Sequence, residues 1–431
     1  MTLPAKFVER VLRDLGGTEG AALCAALDAE PPVSVRLNPA KTGADTLPAG
    51  PDAGLPVPEA AGLPALAIAG RVPWSRDGRY LAVRPSFTLD PDFHAGAYYV
   101  QEASSQFVGH LLAAVRTEGA RILDLCAAPG GKTTLYASLA GPDGLVVANE
   151  IDRRRASVLA DNVRKWGTGN VAVTTCEPRA LGDFEAWFDV VAVDAPCSGE
   201  GMFRKSEEAR TEWSEAGVAL CAERQRGILR EAWRALRPGG LLLYSTCTFN
   251  FTENEGVLRD FSAWAAGETE PAERIAVDPA WGVVCGAEGD FQTFRFYPHR
   301  VEGEGFFAAA VRKRAAGGER RRVLRPQRDP LAWADRRAVQ ELERWVEEPE
   351  AMRFAAVGDT FYGYWQPQAE AVAMLSGVLN VIASGVEMGQ LFKGVLRPAH
   401  ALALFTGLRR GAAAVCELPP EEALRYLRRG E

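Results

Sequence analysis

The sequence lacks several features that mark whole classes of protein. No run approaches the roughly 18 consecutive apolar residues that a membrane-spanning helix needs, although 47% of the 431 residues are hydrophobic. Met1 to Gly17 do not form an export signal. They mix Lys6, Glu9, Arg10, Arg13 and Asp14 with apolar residues at helical spacing, the pattern of an amphipathic helix. A cytoplasmic protein with no membrane partner is expected. Eight cysteines are present, but no two stand as Cys-x-x-Cys, which removes zinc-ribbon and thioredoxin-like readings. A disulfide framework does not suit so long a chain without an export signal, and no metal site is expected. Positive charge is not in excess either, since the net charge is −7. A nucleic-acid partner would have to be met by a local concentration of cations. One such concentration is Arg312, Lys313, Arg314, Arg320, Arg321, Arg322, Arg325 and Arg328, although a solvated linker would have the same composition. Internal repeats and low-complexity tracts are also missing.

The chain is too long for one ordinary core, which implies two or three domains. Residues 1–40 read as a helical start followed by a strand, Ser34–Asn38. From Pro39 to about Gly70 the chain is rich in Pro, Gly and Ala and reads as loop. A β-like stretch at Tyr80–Phe87 closes a small first domain. From Gly119 strands and helices alternate: strand Arg121–Cys126, helix Lys132–Leu139, strand Leu145–Asn149, helix Arg153–Trp166 and strand Val171–Thr174. Strand Asp189–Asp194, a long helix to Arg237 and strand Leu241–Ser245 continue the series, with Arg237-Pro-Gly-Gly240 as the helix stop. This rhythm predicts an α/β fold with a doubly wound, Rossmann-like, mostly parallel sheet that binds its ligand at the carboxyl ends of the strands. Residues 330–431 lose the rhythm and read as a compact α+β unit. The expected division is 1–100, 101–315 and 316–431, the last including the basic segment.

The strand-to-helix loop Cys126-Ala-Ala-Pro-Gly-Gly-Lys-Thr-Thr134 combines small residues and two glycines with the unpaired N–H groups of a helix start. A phosphate-cradling P-loop needs Gly where Cys126 stands, and a dinucleotide fingerprint needs three spaced glycines where only Gly130 and Gly131 are present. Neither pattern fits. What remains is a loop for a nucleoside with no phosphates to hold. Glu150, at the end of the next strand, can accept protons from ribose hydroxyls. S-adenosyl-L-methionine suits such a site.

Two further motifs follow strands of the same sheet: Asp194-Ala-Pro-Cys-Ser-Gly-Glu-Gly-Met-Phe203 and Tyr244-Ser-Thr-Cys-Thr-Phe249. A cysteine is ordinarily a small buried hydrophobe. Here, however, two strand ends bring Cys197 and Cys247 toward one pocket together with Asp194. Cytosine C5 is a poor nucleophile until a group adds to C6. A thiolate can make that addition, and a carboxyl group near N3 can share the proton the ring then takes. The groups needed for cytosine-5 methylation are therefore present.

At this point the chain resembles the NOL1/NOP2/Sun family of RNA cytosine-5 methyltransferases, and within it the bacterial RsmF/YebU-type enzymes of small-subunit ribosomal RNA. The resemblance runs through Ser34–Asn38, Tyr98-Tyr-Val-Gln-Glu-Ala-Ser-Ser105, the Cys126–Thr134 loop, Asn149-Glu-Ile-Asp152 and both cysteine motifs. It continues in Cys221-Ala-Glu-Arg-Gln225 and Tyr297–Gly305. It implies that Cys247 bonds to C6, and that Cys197 helps release the methylated RNA. It places the cofactor against Cys126, Ala127, Ala128, Pro129, Gly130, Gly131, Lys132, Glu150 and Asp194. Glu177 stands closest to the place of an acid that lies near the adenine in many relatives. The resemblance also implies that the first and last domains bind RNA, the last having a PUA-like fold. The implied partner is 16S rRNA, free or within the 30S subunit, acted on by a monomer. Transfer-RNA cytosine methylation and a non-catalytic assembly factor are the alternatives; a pure binder would have no use for two thiols beside an acid. Some relatives continue past the position of Arg429-Gly-Glu431, so a shortened last domain or an incomplete chain is expected.

Overall fold

Strands that read as unbroken Val, Leu and Ala suit a sheet covered on both faces, and the computed structural model has one. It describes residues 2–42, 66–113, 115–315 and 331–428. Five parallel strands form its centre: β5 (Arg121–Asp124), β6 (Leu145–Asn149), β7 (Val171–Thr174), β8 (Phe188–Asp194) and β9 (Leu236–Thr246). Their order in space is β7-β6-β5-β8-β9. The chain winds outward from β5 in one direction and then returns to fill the other side, so the sheet is doubly wound. Side chains alternate between two apolar layers. Leu123, Val147, Val191 and Leu242 pack beneath helices Glu215–Ala235 and Glu255–Trp264. Ile122, Val146, Val190 and Leu243 pack beneath Gly131–Ala140 and Arg153–Trp166.

Ahead of this sheet lie helices Ala5–Leu15 and Gly17–Leu27. A small antiparallel sheet follows, built from β1 (Val33–Leu37), β2 (Ile68–Arg71), β3 (Gly78–Leu81) and β4 (Tyr98–Val100) in the order β2-β3-β1-β4. The expected stretch to Phe87 stops at Leu81; Pro85 has no N–H for a ladder. Of the loop expected between Pro39 and Gly70, residues 43–65 lie outside the described ones.

Two further differences concern β9 and the strands beyond it. Arg237–Gly240 is not a helix stop, because the helix ends at Ala235 and the tetrapeptide forms the entry to β9. Arg237 precedes a proline and is biased toward extended backbone, and the pairing with β8 shifts register there. Beyond β9 the sheet continues antiparallel through β13 (Phe306–Lys313), β12 (Phe291–Phe296) and β11 (Val284–Glu288), with the two-residue β10 (Thr269–Glu270) beside β13. The C-terminal part builds its own sheet in the order β14-β15-β16-β18-β19: Ala332–Trp333, Met352–Val357, Thr360–Trp365, Val386–Phe392 and Val395–Pro398. It also lends β17 (Val381–Ser384) to the main sheet, antiparallel to β7. Among the described residues no helix is long and apolar enough to cross a membrane.

Candidate active site

In an open α/β sheet, ligands bind where the strand order reverses. Here that point lies between β5 and β8, and the loops after β5, β6, β8 and β9 carry nearly all the residues singled out above.

The loop after β5 is held open from three sides. The Ala128–Pro129 peptide is cis, and Gly130 sits at φ 112° as the N-cap of helix Gly131–Ala140. A side chain at Gly130 would be strained by that backbone and would press on Leu159 at 3.1 Å. Asn162 donates to the Pro129 carbonyl at 2.8 Å, Tyr99 donates to it at 3.2 Å, and Arg155 donates to the Ala128 carbonyl at 3.1 Å. Ala127 donates its N–H to the Asn149 carbonyl at 2.8 Å. The N-terminal sheet grips the same helix: Arg36 donates to the Gly131 carbonyl at 3.0 Å, to Thr134 Oγ1 at 2.6 Å and to Gln101 at 2.8 Å.

Glu150, at the end of β6, is only 3% exposed. One carboxylate oxygen accepts the Asp152 N–H at 3.0 Å and the other lies 3.2 Å from Arg155. Asp124, at the end of β5, is buried and accepts from Thr133 Oγ1 at 2.7 Å, while its Oδ1 has no hydrogen-bond partner among the described residues. Burial holds its carboxyl up at about 7, against the Thr133 hydrogen bond. Burial, helped by Asp124, Asp194 and Glu150, also pushes the Cys126 thiol well above the ordinary range.

Asp194 ends β8. Its Oδ2 accepts from Lys132 Nζ at 2.8 Å and its Oδ1 from Ser245 Oγ at 2.7 Å. Burial works against the charge of Lys132, but Asp194, Asp124 and Cys247 hold the ammonium above its usual range. Cys197 and Cys247 meet with their sulfurs 3.3 Å apart, a thiol contact and not a disulfide, and both are half-buried. The hydrogen bond to Cys247 and burial, with the charges of Cys247 and Glu253, push the Cys197 thiol well above its ordinary range.

Sequence reasoning missed the two buried acids that tie these loops together. Glu200 accepts from the N–H groups of Phe249 and Asn250 at 2.9 and 3.1 Å, from Asn250 Nδ2 at 3.1 Å, from Trp213 at 3.0 Å and from Arg10 at 2.5 Å. Glu253 accepts from the Ser198 N–H and Gln225 at 2.9 Å, from Asn250 at 2.7 Å, and from the Ser198 hydroxyl. Glu200 lies inside the first cysteine motif and Glu253 just past the second, so nearness to the motifs was the available signal. Gly201 completes the junction. A Cβ there would stand 2.9 Å from the Gly305 carbonyl and 3.0 Å from the Cys247 carbonyl.

Two expectations fare differently. Glu177, at the end of β7, is exposed and makes no side-chain hydrogen bond or ion pair among the described residues. The basic segment divides. Arg312 is spent on Glu273 and the Gly239 carbonyl, Lys313 on the Trp233 and Leu236 carbonyls, and Arg314 on the Thr269 carbonyl. Arg312 and Lys313 thus anchor β13 to neighbouring elements, while Arg314, just past the strand, stays exposed. Arg320, Arg321, Arg322, Arg325 and Arg328 lie outside the described residues.

Two family models match the chain: the 16S rRNA methyltransferase RsmB/F model over residues 111–312, and the model for the N-terminal domain of the 16S rRNA methyltransferase RsmF over residues 3–103. The ribosomal RNA small subunit methyltransferase F of Erwinia tasmaniensis is 31% identical over 374 residues, covering 83% of this chain and 75% of that protein. This chain belongs to the RsmB/F family of 16S rRNA methyltransferases. The namesake protein of Shewanella loihica is 33% identical over 76% of this chain and 69% of its own. Among solved structures, a methyltransferase homolog protein from Pyrococcus horikoshii is 28% identical, with a TM-score of 0.54 over 72% of this chain and 100% of its own. NSun6 from the same organism, solved with SFG, shares the fold at 20% identity and a TM-score of 0.54, over 72% of this chain and 98% of its own. As an RsmB/F member the protein is a S-adenosyl-L-methionine-dependent rRNA methyltransferase, and the site suits that cofactor. It offers an open helix N-terminus, a buried acid at the end of β6 and the orphaned Asp124 oxygen, with no phosphate cradle.

Proposed function

We propose that this protein transfers a methyl group from S-adenosyl-L-methionine to C5 of cytosine in 16S rRNA, through a covalent bond between Cys247 and C6. The observation that carries this reading is the pair of sulfurs 3.3 Å apart beside the Asp194–Lys132 ion pair. The Cys126–Lys132 loop and Glu150 would hold the cofactor, which supplies an electrophilic methyl group when bound. Glu177 would face the adenine. Lys132 is a cation within electrostatic reach of Cys247, a counter-charge for the attacking thiolate. Asp194 is about one-third exposed, so its carboxyl can meet the ring edge and share the proton taken up at N3. Restoring the ring requires return of the N3 proton to Asp194, loss of the C5 proton and cleavage of the C6–S bond. Cys197 can relay the proton in one step, giving its own to the departing Cys247 sulfur as it takes the one from C5. A base must leave its stack to reach half-buried thiols, so unpaired cytosines should react best. Bisulfite mapping of 16S rRNA and tRNA from a deletion strain tests the reading. Loss of 16S signal supports it, and loss confined to tRNA would move the substrate.

Glu150→Ala should weaken cofactor binding by about 1–3 kcal/mol, the range for a lost charged hydrogen bond. Calorimetry on the purified protein measures this, and undiminished affinity would remove Glu150 from the site.

An acidic protein that binds RNA needs exposed cations with no acid partner. With Arg312 and Lys313 committed to the fold, the C-terminal hairpin β18–β19, which we take to belong to a PUA-like unit, is the better candidate. Phe392 is 51% exposed there. Arg397 covers its ring at 4.4 Å and Lys393 lies 5.5 Å away, with Arg337 beside Gly394. None of the three cations forms an ion pair among the described residues. Replacing all three with alanine should lower the salt slope of RNA binding by about 0.7–0.9 per lost phosphate contact and leave cofactor affinity unchanged. An unaltered slope would exclude this hairpin.

A further inference from the structure

A hydrogen-bonded thiol pair has one open question: which sulfur holds the proton. The 3.3 Å contact is symmetric, since either sulfur can be the donor, but its surroundings are not. Lys132 is a cation that interacts with Cys247. On the other side stands Glu253, which is 0% exposed and has no cation paired with it among the described residues. Its charge is met only by the neutral donors of Ser198, Gln225 and Asn250. Two of those bonds come from Ser198, the residue next to Cys197. Asn250 and Gln225 fix the carboxylate from the Cys247 loop and from helix Glu215–Ala235. Gln225 also donates to the Pro196 carbonyl at 3.0 Å. Glu253 is thus clamped against the Cys197 turn from three elements.

We propose that Glu253 is a positioning residue that joins the two cysteine loops and keeps the shared proton of the thiol pair on Cys197, leaving Cys247 free to attack. The other titratable groups that interact with the pair, with Lys132 or with Glu253 are Asp194 and Asp124 at the ends of β8 and β5, Tyr244 on β9 and Cys221 on helix Glu215–Ala235. Asp194 is paired with Lys132 at 2.8 Å, and Asp124, its carboxyl raised to about 7 by burial, is not among the groups that act on Cys197. Tyr244 and Cys221 are neutral near pH 7, since burial raises both. Burial raises the Glu253 carboxyl as well, but Glu253 is the acid without a cation partner among the described residues that acts on Cys197, and so it tells the two sulfurs apart. This rests on the reading that one thiol of the pair adds to a pyrimidine.

The test is competitive alkylation of the full-length protein with iodoacetamide between pH 6 and 9, read peptide by peptide by mass spectrometry and needing no RNA. In the unaltered protein Cys247 should be labelled before Cys197, by about tenfold or more, since one unit of relative pKa is a tenfold change in thiolate. In Glu253→Gln that preference should fall to within about threefold, and Glu253→Asp, which keeps the charge, should restore most of it. Labelling of Cys197 first in the unaltered protein overturns the proposal without any variant, so poor folding of Glu253→Gln does not protect it. An unchanged preference in Glu253→Gln, or equal losses in the Gln and Asp variants, would also overturn it. A preference that behaves as expected in a protein forming no adduct with RNA would instead sink the cytosine reading and leave the role of Glu253 standing.

Discussion

Cys197→Ala should leave the protein trapped on its RNA. If Cys247 attacks C6 and Cys197 assists release, the variant attacks and methylates but fails to eliminate. An RNA-linked species should then survive denaturing electrophoresis. Cys247→Ala should form no such species and should be inactive, yet still bind RNA and cofactor, because the loop after β5 and the acid at Glu150 do not depend on it. Turnover in either variant should fall by several orders of magnitude, as expected when a covalent route loses a group acting in concert with others. The Pro-Cys at Cys197 is an obvious rival nucleophile. An adduct with Cys247→Ala and none with Cys197→Ala would reverse the assignment while keeping the reaction class.

Arg10→Met should destabilise the protein by about 3–5 kcal/mol, the range for stranding one partner of a buried ion pair. Arg10 and Glu200 are 2.5 Å apart, with side chains 11% and 0% exposed. Glu200 also carries the backbone of the Cys247 loop through Phe249 and Asn250, so helix Ala5–Leu15 supports the chemistry from a distance. Urea denaturation measures the loss. A change below about 1 kcal/mol would make this pair energetically equivalent to an exposed one and leave the first helix as packing alone.

The parallel sheet and its loops could be read from the sequence because apolar strands, Gly-Gly turns and helix caps are local signals. The helix over Arg153–Trp166 forms as expected, and the structure shows Asp152 capping it by accepting from the N–H groups of Arg154 and Arg155. The pairing of β17 with β7, across some two hundred residues of chain, had no local signature. The strands β11–β13 were hidden in aromatic and alanine-rich segments whose partners only the fold supplies. In the site, the thiols and Asp194 stood at strand ends and were legible. Glu200 and Glu253 were not, because an acid in a loop looks like surface until the donors that permit its burial are known. The same ambiguity hid the partners of Arg312 and Lys313, which reach Glu273 and neighbouring carbonyls.

One measurement meets the chemistry at C5 directly. 16S rRNA lacking its modifications would be incubated with the protein and S-adenosyl-L-methionine carrying a labelled methyl group, then digested to nucleosides and analysed by mass spectrometry. The label should appear in 5-methylcytidine and vanish with Cys247→Ala. Label in any other nucleoside, or undiminished 5-methylcytidine in Cys247→Ala, would contradict the account.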